Sequence, residues 1–301
     1  MPAGILAVAL AVWLAPVTRT SEIAEPLPLT QRQACAARFT EPVVAIEAGG
    51  RSRGTGFLVS ADGFILTAAH VVLDKEVGRY FSTILVKLPN GAFRAARPVS
   101  LLTAESFGED FAVLKVDGET KLPFLPLGTA EDIASGSDVA IIGYPFSAVT
   151  VEAKQVSAKF CLAATIAAFQ LTTVSVEGTR TVGRRIVPFK NDIKVDVIYF
   201  QGPSVKGISG SPLISKDSGY VIGIVNLKLT GIGKSLSTIN EGIARGPHAE
   251  ISTGGVGAFG TIGQILTVLD NQLANGLGAA VGIDAAKHAL AQAQRQAQKQ
   301  R

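Results

Sequence analysis

Histidine and cysteine are scarce in this 301-residue chain, with three of the first and two of the second. Cys35 and Cys161 have no neighbouring cysteine or histidine at ligand spacing, which excludes a zinc site and leaves no metal to expect. The two permit one disulfide, if the protein is exported, or two separate buried thiols. Charge is also sparse at 17% of residues, and the net +4 is spread along the chain. No basic helix or stripe with interleaved aromatics occurs, so nucleic acid is not an expected partner. Arg184-Arg185 and the Lys/Arg/Gln-rich end read as solvated charge. Internal repeats are absent. The one long apolar run, Ile5 to Val17, is short for a membrane span and has the character of a secretory signal's apolar region. Met1-Pro2-Ala3-Gly4 lacks the usual Lys or Arg, and no A-x-A cleavage site follows. Residues 1–21 are therefore expected to direct export to the periplasm or beyond. An uncleaved membrane anchor and a misassigned start codon are the alternatives, and a cytoplasmic location follows if the segment is not an export signal.

What is plentiful points to an ordered protein with many tight turns: 47% hydrophobic residues and 32 glycines. Residues 22–40 read as a connector with a short helix over Gln31 to Arg38. From Pro42 the pattern becomes short β-branched or alternating runs: Val43 to Glu47, Gly56 to Ser60, Phe64 to Thr67, Thr83 to Leu88, Phe93 to Leu102 and Phe111 to Val116. Asp62-Gly63 and Asn90-Gly91 are the dipeptides of two-residue hairpin loops. A second series covers Asp138 to Ile142, Thr165 to Val176, Arg185 to Pro188, Val195 to Phe200 and Tyr220 to Leu229. Two such series without a long helix between them predict an all-β fold of two packed antiparallel barrels, about 41–118 and 135–230, within one domain at 41–233. Ile262, Ile265, Leu266, Leu269 and Leu273 recur at helical spacing, and Asp284 has the place of an N-cap. Residues 234–301 are accordingly expected to form a helical C-terminal extension, available for oligomer formation.

Three short segments carry chemistry. Thr67-Ala68-Ala69-His70 follows a strand. Asp110-Phe111-Ala112-Val113-Leu114-Lys115-Val116 sets an acid at the mouth of another. Gly207-Ile208-Ser209-Gly210-Ser211-Pro212-Leu213 puts a serine among small residues, where a tight turn exposes its Oγ and aims the N–H groups of Gly207 and Ser209 at one point. Singly, each reads as ordinary structure: a core histidine, a turn aspartate, a Gly-Ser turn. Jointly they supply a complete relay. A serine hydroxyl needs a base, histidine is suited to that near neutrality, and the imidazole needs a carboxylate to fix its tautomer. The order His, Asp, Ser and the expected β-architecture exclude the α/β-hydrolase arrangement, which runs Ser, Asp, His among parallel strands.

These segments, with Gly54-Thr55-Gly56-Phe57-Leu58-Val59, Gly143-Tyr144-Pro145 and Val221-Ile222-Gly223-Ile224-Val225, resemble the trypsin-like serine peptidases, and among them the bacterial HtrA-like group, over about residues 42–230. The resemblance implies a double-barrel endopeptidase that cleaves protein or peptide substrates through an acyl-enzyme, without metal or cofactor. His70, Asp110 and Ser209 would be catalytic, and the Gly207 and Ser209 N–H groups would form the oxyanion hole. It also implies substrate contacts at Pro203, Asn226, Leu227 and Lys228. Pro203 stands where trypsin-like relatives carry a specificity Asp, so cleavage after Lys or Arg is not expected. Lys228 in place of glycine would narrow the pocket toward small or medium apolar side chains. Ile208 replaces the usual Asp or Asn before the nucleophile and cannot pair with a freshly cut N-terminus. The tail is shorter than a PDZ domain and reads as helical. The competing reading is a catalytically weak or silent member that binds polypeptide, as a chaperone does.

Overall fold

Runs such as Phe64–Leu66 and Phe111–Leu114 are apolar at consecutive positions, which suits strands buried on both faces. The computed structural model has this arrangement. It describes residues 28–50, 52–74, 77–100, 109–118, 121–129, 132–145, 158–182, 185–204, 207–226, 252–253, 256–257, 276 and 278–299. After the one-turn helices α1 (Gln31–Ala34) and α2 (Ala37–Thr40) come β1 (Val43–Ala48), β2 (Ser52–Leu58) and β3 (Phe64–Ala68). A further one-turn helix, α3 (Ala69–Val72), leads into β4 (Leu73–Asp74), β5 (Arg79–Tyr80), β6 (Ile84–Lys87), β7 (Phe93–Ala95), β8 (Arg97–Pro98) and β9 (Phe111–Lys115). Then follow β10 (Asp138–Gly143), β11 (Phe160–Val182), β12 (Arg185–Gln201), β13 (Pro212–Ser215) and β14 (Val221–Val225). The last elements are β15 (Ser252–Thr253), β16 (Val256–Gly257), β17 (Gly278–Gly282) and the long helix α4 (Ile283–Lys299).

The first series forms a seven-stranded antiparallel sheet in the order β7-β6-β1-β2-β3-β9-β8, and the second a closed six-stranded barrel, β10-β11-β12-β17-β14-β13. Alternation along each strand divides the apolar side chains between two cores. In β3 and β9, Ile65, Ala68, Ala112 and Leu114 face the interior of the first sheet. Phe64, Leu66, Phe111 and Val113 face a shared core with Ile142, Ile214, Val221 and Ile224 of the barrel. Val139, Ile141, Ile198, Phe200, Leu213 and Ile222 fill the barrel itself. A register shift opposite Leu213/Ile214 lets Ile222 and Val225 face the barrel interior while Val221 and Ile224 face the shared core. The shared core fixes how the two β-units meet, and therefore what lies between them.

Several local expectations change. The Asp62-Gly63 and Asn90-Gly91 turns are four-residue turns closed by Gly63 N–H to Ser60 C=O (3.2 Å) and Gly91 N–H to Leu88 C=O (2.9 Å). Only the glycines have positive φ, +93° and +83°, so neither is a two-residue loop of the expected kind. The connector helix is two separate turns, the first closed by a Thr30/Gln33 capping box. Arg185 to Pro188 and Val195 to Phe200 belong to one continuous strand, because β11 pairs with β12 throughout, from Thr165↔Gln201 to Val182↔Arg185.

The C-terminal region differs most. Barrel two does not end near residue 230, since Gly278–Gly282 inserts between β12 and β14 and closes it. Two glycines and two alanines make a weak strand sequence, but they fit a crowded site: a Cβ on Gly278 would lie 2.2 Å from the Phe200 ring. Helix α4 begins at Ile283, one residue before the expected cap. Its Ile283, Ala286, Leu290 and Ala293 are buried in the shared core, so it is part of the domain and not an appendage. The helical spacing over 262–273 lies outside the described residues. Cys35 and Cys161 form a disulfide, tying the connector to β11. Beside it, Lys159 lies over the Tyr144 ring at 5.6 Å. Burial pulls the Lys159 amine down to about 8, with Glu41 opposing the shift and Lys87 adding to it.

Two outcomes follow for stability. Leu290→Ala should lower the unfolding free energy by about 2–4 kcal/mol in urea titrations, as expected for a buried leucine in a shared core. Lys159 loses its proton near pH 8 in the fold, against 10.5 for the unperturbed amine. Between those values the unfolded chain binds more protons, so stability should rise with pH over that window, and the burial penalty is present in full below it. The rise should be missing in Lys159→Met when the two proteins are compared by urea midpoint from pH 7.5 to 10.

Candidate active site

The histidine and aspartate meet because β3 and β9 are antiparallel and in register, with Ala68 opposite Phe111. One strand ends where the other begins, so the residues just beyond those ends are neighbours. Helix α3 starts at Ala69 and sets His70 in its only turn. Asp110 has φ +53°, the one non-glycine residue with positive φ among the described residues. Aspartate tolerates this left-handed conformation better than most residues, at a cost of about 1–2 kcal/mol. That twist lets Asp110 bond three times to the start of α3. Its C=O accepts from Ala69 N–H at 2.9 Å. Its Oδ1 accepts from His70 N–H at 3.0 Å, and its Oδ2 lies 2.7 Å from His70 Nδ1. The carboxylate is 3% exposed and the imidazole 25%. With Nδ1–H donating to the carboxylate, Nε2 is the ring nitrogen left with a lone pair.

The serine segment reaches the same place from the barrel. Gly210 has φ +86°, and a Cβ there would lie 2.0 Å from Thr55 C=O, 2.4 Å from Thr67 Oγ1 and 2.9 Å from Ala68 N. Only glycine allows the turn to approach the end of β3 this closely. A Cβ on Gly54 would meet both Val71 and the Ser209 carbonyl oxygen, at 2.6 and 3.0 Å. Ser209 thus lies one glycine away from α3. It is 7% exposed. Among the described residues, no hydrogen bond joins Ser209 Oγ to His70.

Thr55, in the Gly54-to-Val59 run, links the two β-units. It is fully buried. Its N–H donates to Ser209 C=O at 2.9 Å and its Oγ1 donates to Gly207 C=O at 2.8 Å. The same Oγ1 accepts from Tyr144 N–H at 3.0 Å, while its C=O accepts from Thr67 Oγ1 at 2.7 Å. One residue of the first sheet therefore fixes two carbonyls of the serine turn. Ile208 points the other way, fully buried in the barrel core with Val139, Ile141 and Leu213. An apolar side chain thus anchors the turn. Ser211 N–H closes it onto Ile208 C=O at 2.9 Å, and Ser211 Oγ fits because residue 143 is glycine, where a Cβ would lie 2.2 Å away.

Of the expected substrate contacts, Pro203 is half-buried just beyond β12, and Asn226 is buried just beyond β14. Leu227 and Lys228 lie outside the described residues. Ser204 Oγ and Asn226 Oδ1 are buried without a hydrogen-bond partner among the described residues, leaving polar capacity close to the serine turn. No group of three or more His, Cys, Asp or Glu suited to a metal occurs among the described residues. Burial pushes the Tyr144 hydroxyl up to about 12, so it is protonated throughout the physiological range.

This arrangement can place a hydroxyl near an oriented imidazole on a buried carboxylate, which is the chemistry of serine hydrolases. Residues 54–224 match the family described as the trypsin-like peptidase domain, and the chain belongs to that family. Among curated relatives it is 33% identical over 181 residues to serine protease HTRA4 of Mus musculus, covering 60% of this chain and 30% of that protein. It is 30% identical over 231 residues to a probable periplasmic serine endoprotease DegP-like of Pseudomonas fluorescens, covering 76% of this chain and 41% of the relative. The match to serine protease HTRA1A of Danio rerio is 34% identical over 179 residues, covering 59% of this chain and 30% of that protein. The matched segment thus spans about a third of the length of these relatives.

The Thr55 arrangement predicts that Thr55→Val leaves Gly207 C=O and Tyr144 N–H buried without partners. It should cost about 1–3 kcal/mol of stability by urea unfolding, and Thr55→Ser should recover most of that.

Proposed function

We propose that this chain is a serine endopeptidase, with Ser209 as nucleophile, His70 as general base and then acid, and Asp110 as the group that orients and stabilises the imidazolium. The observation that carries this reading is the buried Asp110 carboxylate gripping both the Nδ1 and the main-chain N–H of His70, while the Ser209 turn is held against the end of the same strand. Ser209 Oγ attacks the peptide carbonyl carbon as its proton passes to His70 Nε2. The carbonyl oxygen becomes an oxyanion, for which the Gly207 and Ser209 N–H groups are the proposed donors. Collapse breaks the C–N bond, the departing amine takes the proton from Nε2, and an acyl-Ser209 remains. Water then repeats the sequence, giving its proton to Nε2 and releasing the acid. Catalytic hydrogen bonds are often long in unliganded structures and tighten around substrate, which is how a Ser209–His70 bond would form.

Protein or peptide substrates fit the names of the relatives, and the Pro203 and Lys228 positions favour small or medium apolar side chains before the cleaved bond. A location outside the cytoplasm agrees with the Cys35–Cys161 disulfide and with the periplasmic relative. Membrane attachment through residues 1–21 belongs to the same proposal. Self-association through the C-terminal helices finds less support, because the apolar stripe of α4 is buried in its own chain.

The missing Ser209–His70 bond favours one other reading, a silent polypeptide-binding member. A fluorophosphonate probe separates the two. Labelling at Ser209, lost in Ser209→Ala and in His70→Ala, is the expected result, with peptide turnover lost in both variants while their circular dichroism is unchanged. A folded wild-type protein that neither labels nor cleaves would establish the binding reading instead.

A further inference from the structure

The longest element in the fold is the ribbon made by β11 and β12. Near its base both edges are occupied: β10 takes β11 over Phe160–Thr165, and β17 takes β12 over Val197–Phe200. Beyond that, Leu171–Val182 pairs only with Arg185–Asp196 among the described residues. Twelve pairs at a strand rise of about 3.3 Å extend roughly 40 Å. A two-stranded ribbon with open edges is marginal alone in water and is a template for another strand.

The sequence of the β12 edge says which strand. Residues 190–196 read Lys-Asn-Asp-Ile-Lys-Val-Asp. Their charge is antisymmetric about Ile193: the residue one before is acidic and one after basic, while three before is basic and three after acidic. Lys190, Asp192 and Lys194 are exposed, and Asp196 and Ile193 are half-buried. Alternation puts the four charged residues on one face of the ribbon. We propose that this edge pairs antiparallel with the same edge of a second copy, about a two-fold axis through Ile193. Asp192 then faces Lys194 of the second copy, and Lys194 faces its Asp192. Such an interface is isologous and closes as a dimer.

The charges also select the register. A two-residue shift, which moves the axis to Asp192, sets Asp192 against Asp192 and Lys190 against Lys194, two kinds of like-charge contact. A four-residue shift, with the axis at Asn191, keeps the Lys190–Asp192 pair but leaves Lys194 opposite Pro188. The neighbouring strand limits the length. A Cβ on Gly282 would lie 3.1 Å from the Asp196 Cβ, so β17 ends beside Asp196. Backbone pairing therefore runs over Asn191–Val195, and Lys190 of the second copy reaches Asp196 by its side chain alone. A contact this small gives a weak, salt-sensitive dimer. The inference is independent of the peptidase reading.

Sedimentation equilibrium on the full chain, carrying Ser209→Ala to prevent self-digestion, tests it. The parent should show a monomer–dimer equilibrium that weakens as salt is raised. Asp192→Lys and Lys194→Asp should each weaken it by roughly tenfold or more, since each sets like charges opposite one another. The double variant Asp192→Lys/Lys194→Asp should restore it. Ile193→Cys should cross-link to itself under mild oxidation, because directly opposed residues lie within disulfide reach, while Asn191→Cys should not. A parent that stays monomeric, a dimer indifferent to the single exchanges, or a double exchange that fails to restore it while folded by circular dichroism would overturn the proposal.

Discussion

Thr55 joins parts of the chain that nothing else could align as tightly. It belongs to the first sheet, yet two of its four hydrogen bonds go to carbonyls of the serine turn at residues 207 and 209, and a third comes from Tyr144 beyond β10. The fourth, from Thr67, ties it to the strand that leads into His70. Thr55 itself and the bonds from Tyr144 and Thr67 are buried, where an unmatched polar group is costly. The site's geometry is therefore determined by main-chain groups held through one small side chain. Long side chains spanning an open cleft would leave far more freedom.

Glycine is the counterpart of that threonine. Residues 54, 143 and 210 surround it, and a Cβ on any of them would occupy space already held by Val71, Ser211 or Thr55 itself. The two β-units approach until backbone touches backbone, and the larger apolar residues of the shared core fill the volume behind. Ile208 belongs to the same design. Its burial in the barrel core anchors the turn with a side chain that has no protonation state.

Much of this was legible in the sequence, for physical reasons. Consecutive apolar residues at 64–66 and 111–114 announce strands with two buried faces, and the two runs are antiparallel neighbours. The residues flanking them, His70 and Asp110, could then be read as a pair by their chemistry. The positive φ of Asp110 could not, since a turn aspartate looks the same in any backbone state. Nor could the reach of Thr55, whose partners are up to about 150 residues away and leave no periodic trace. Lys190-Asn191-Asp192 has the composition of a turn, which concealed the continuity of β12. Gly278–Gly282 has little strand propensity of its own; its conformation is imposed by the strands on either side and the Phe200 ring pressed against it.

The late position of that barrel-closing strand has a consequence for biogenesis. β14 and β17 are adjacent in space, yet more than fifty residues separate them along the chain. While the polypeptide is being made, five staves of the barrel can assemble, but the gap between β12 and β14 stays open until Gly282 has emerged. The wall that carries Ser209 is unfinished for the same interval. A nascent chain built this way completes the surroundings of Ser209 only after Gly282 has emerged and β17 has taken its place between β12 and β14.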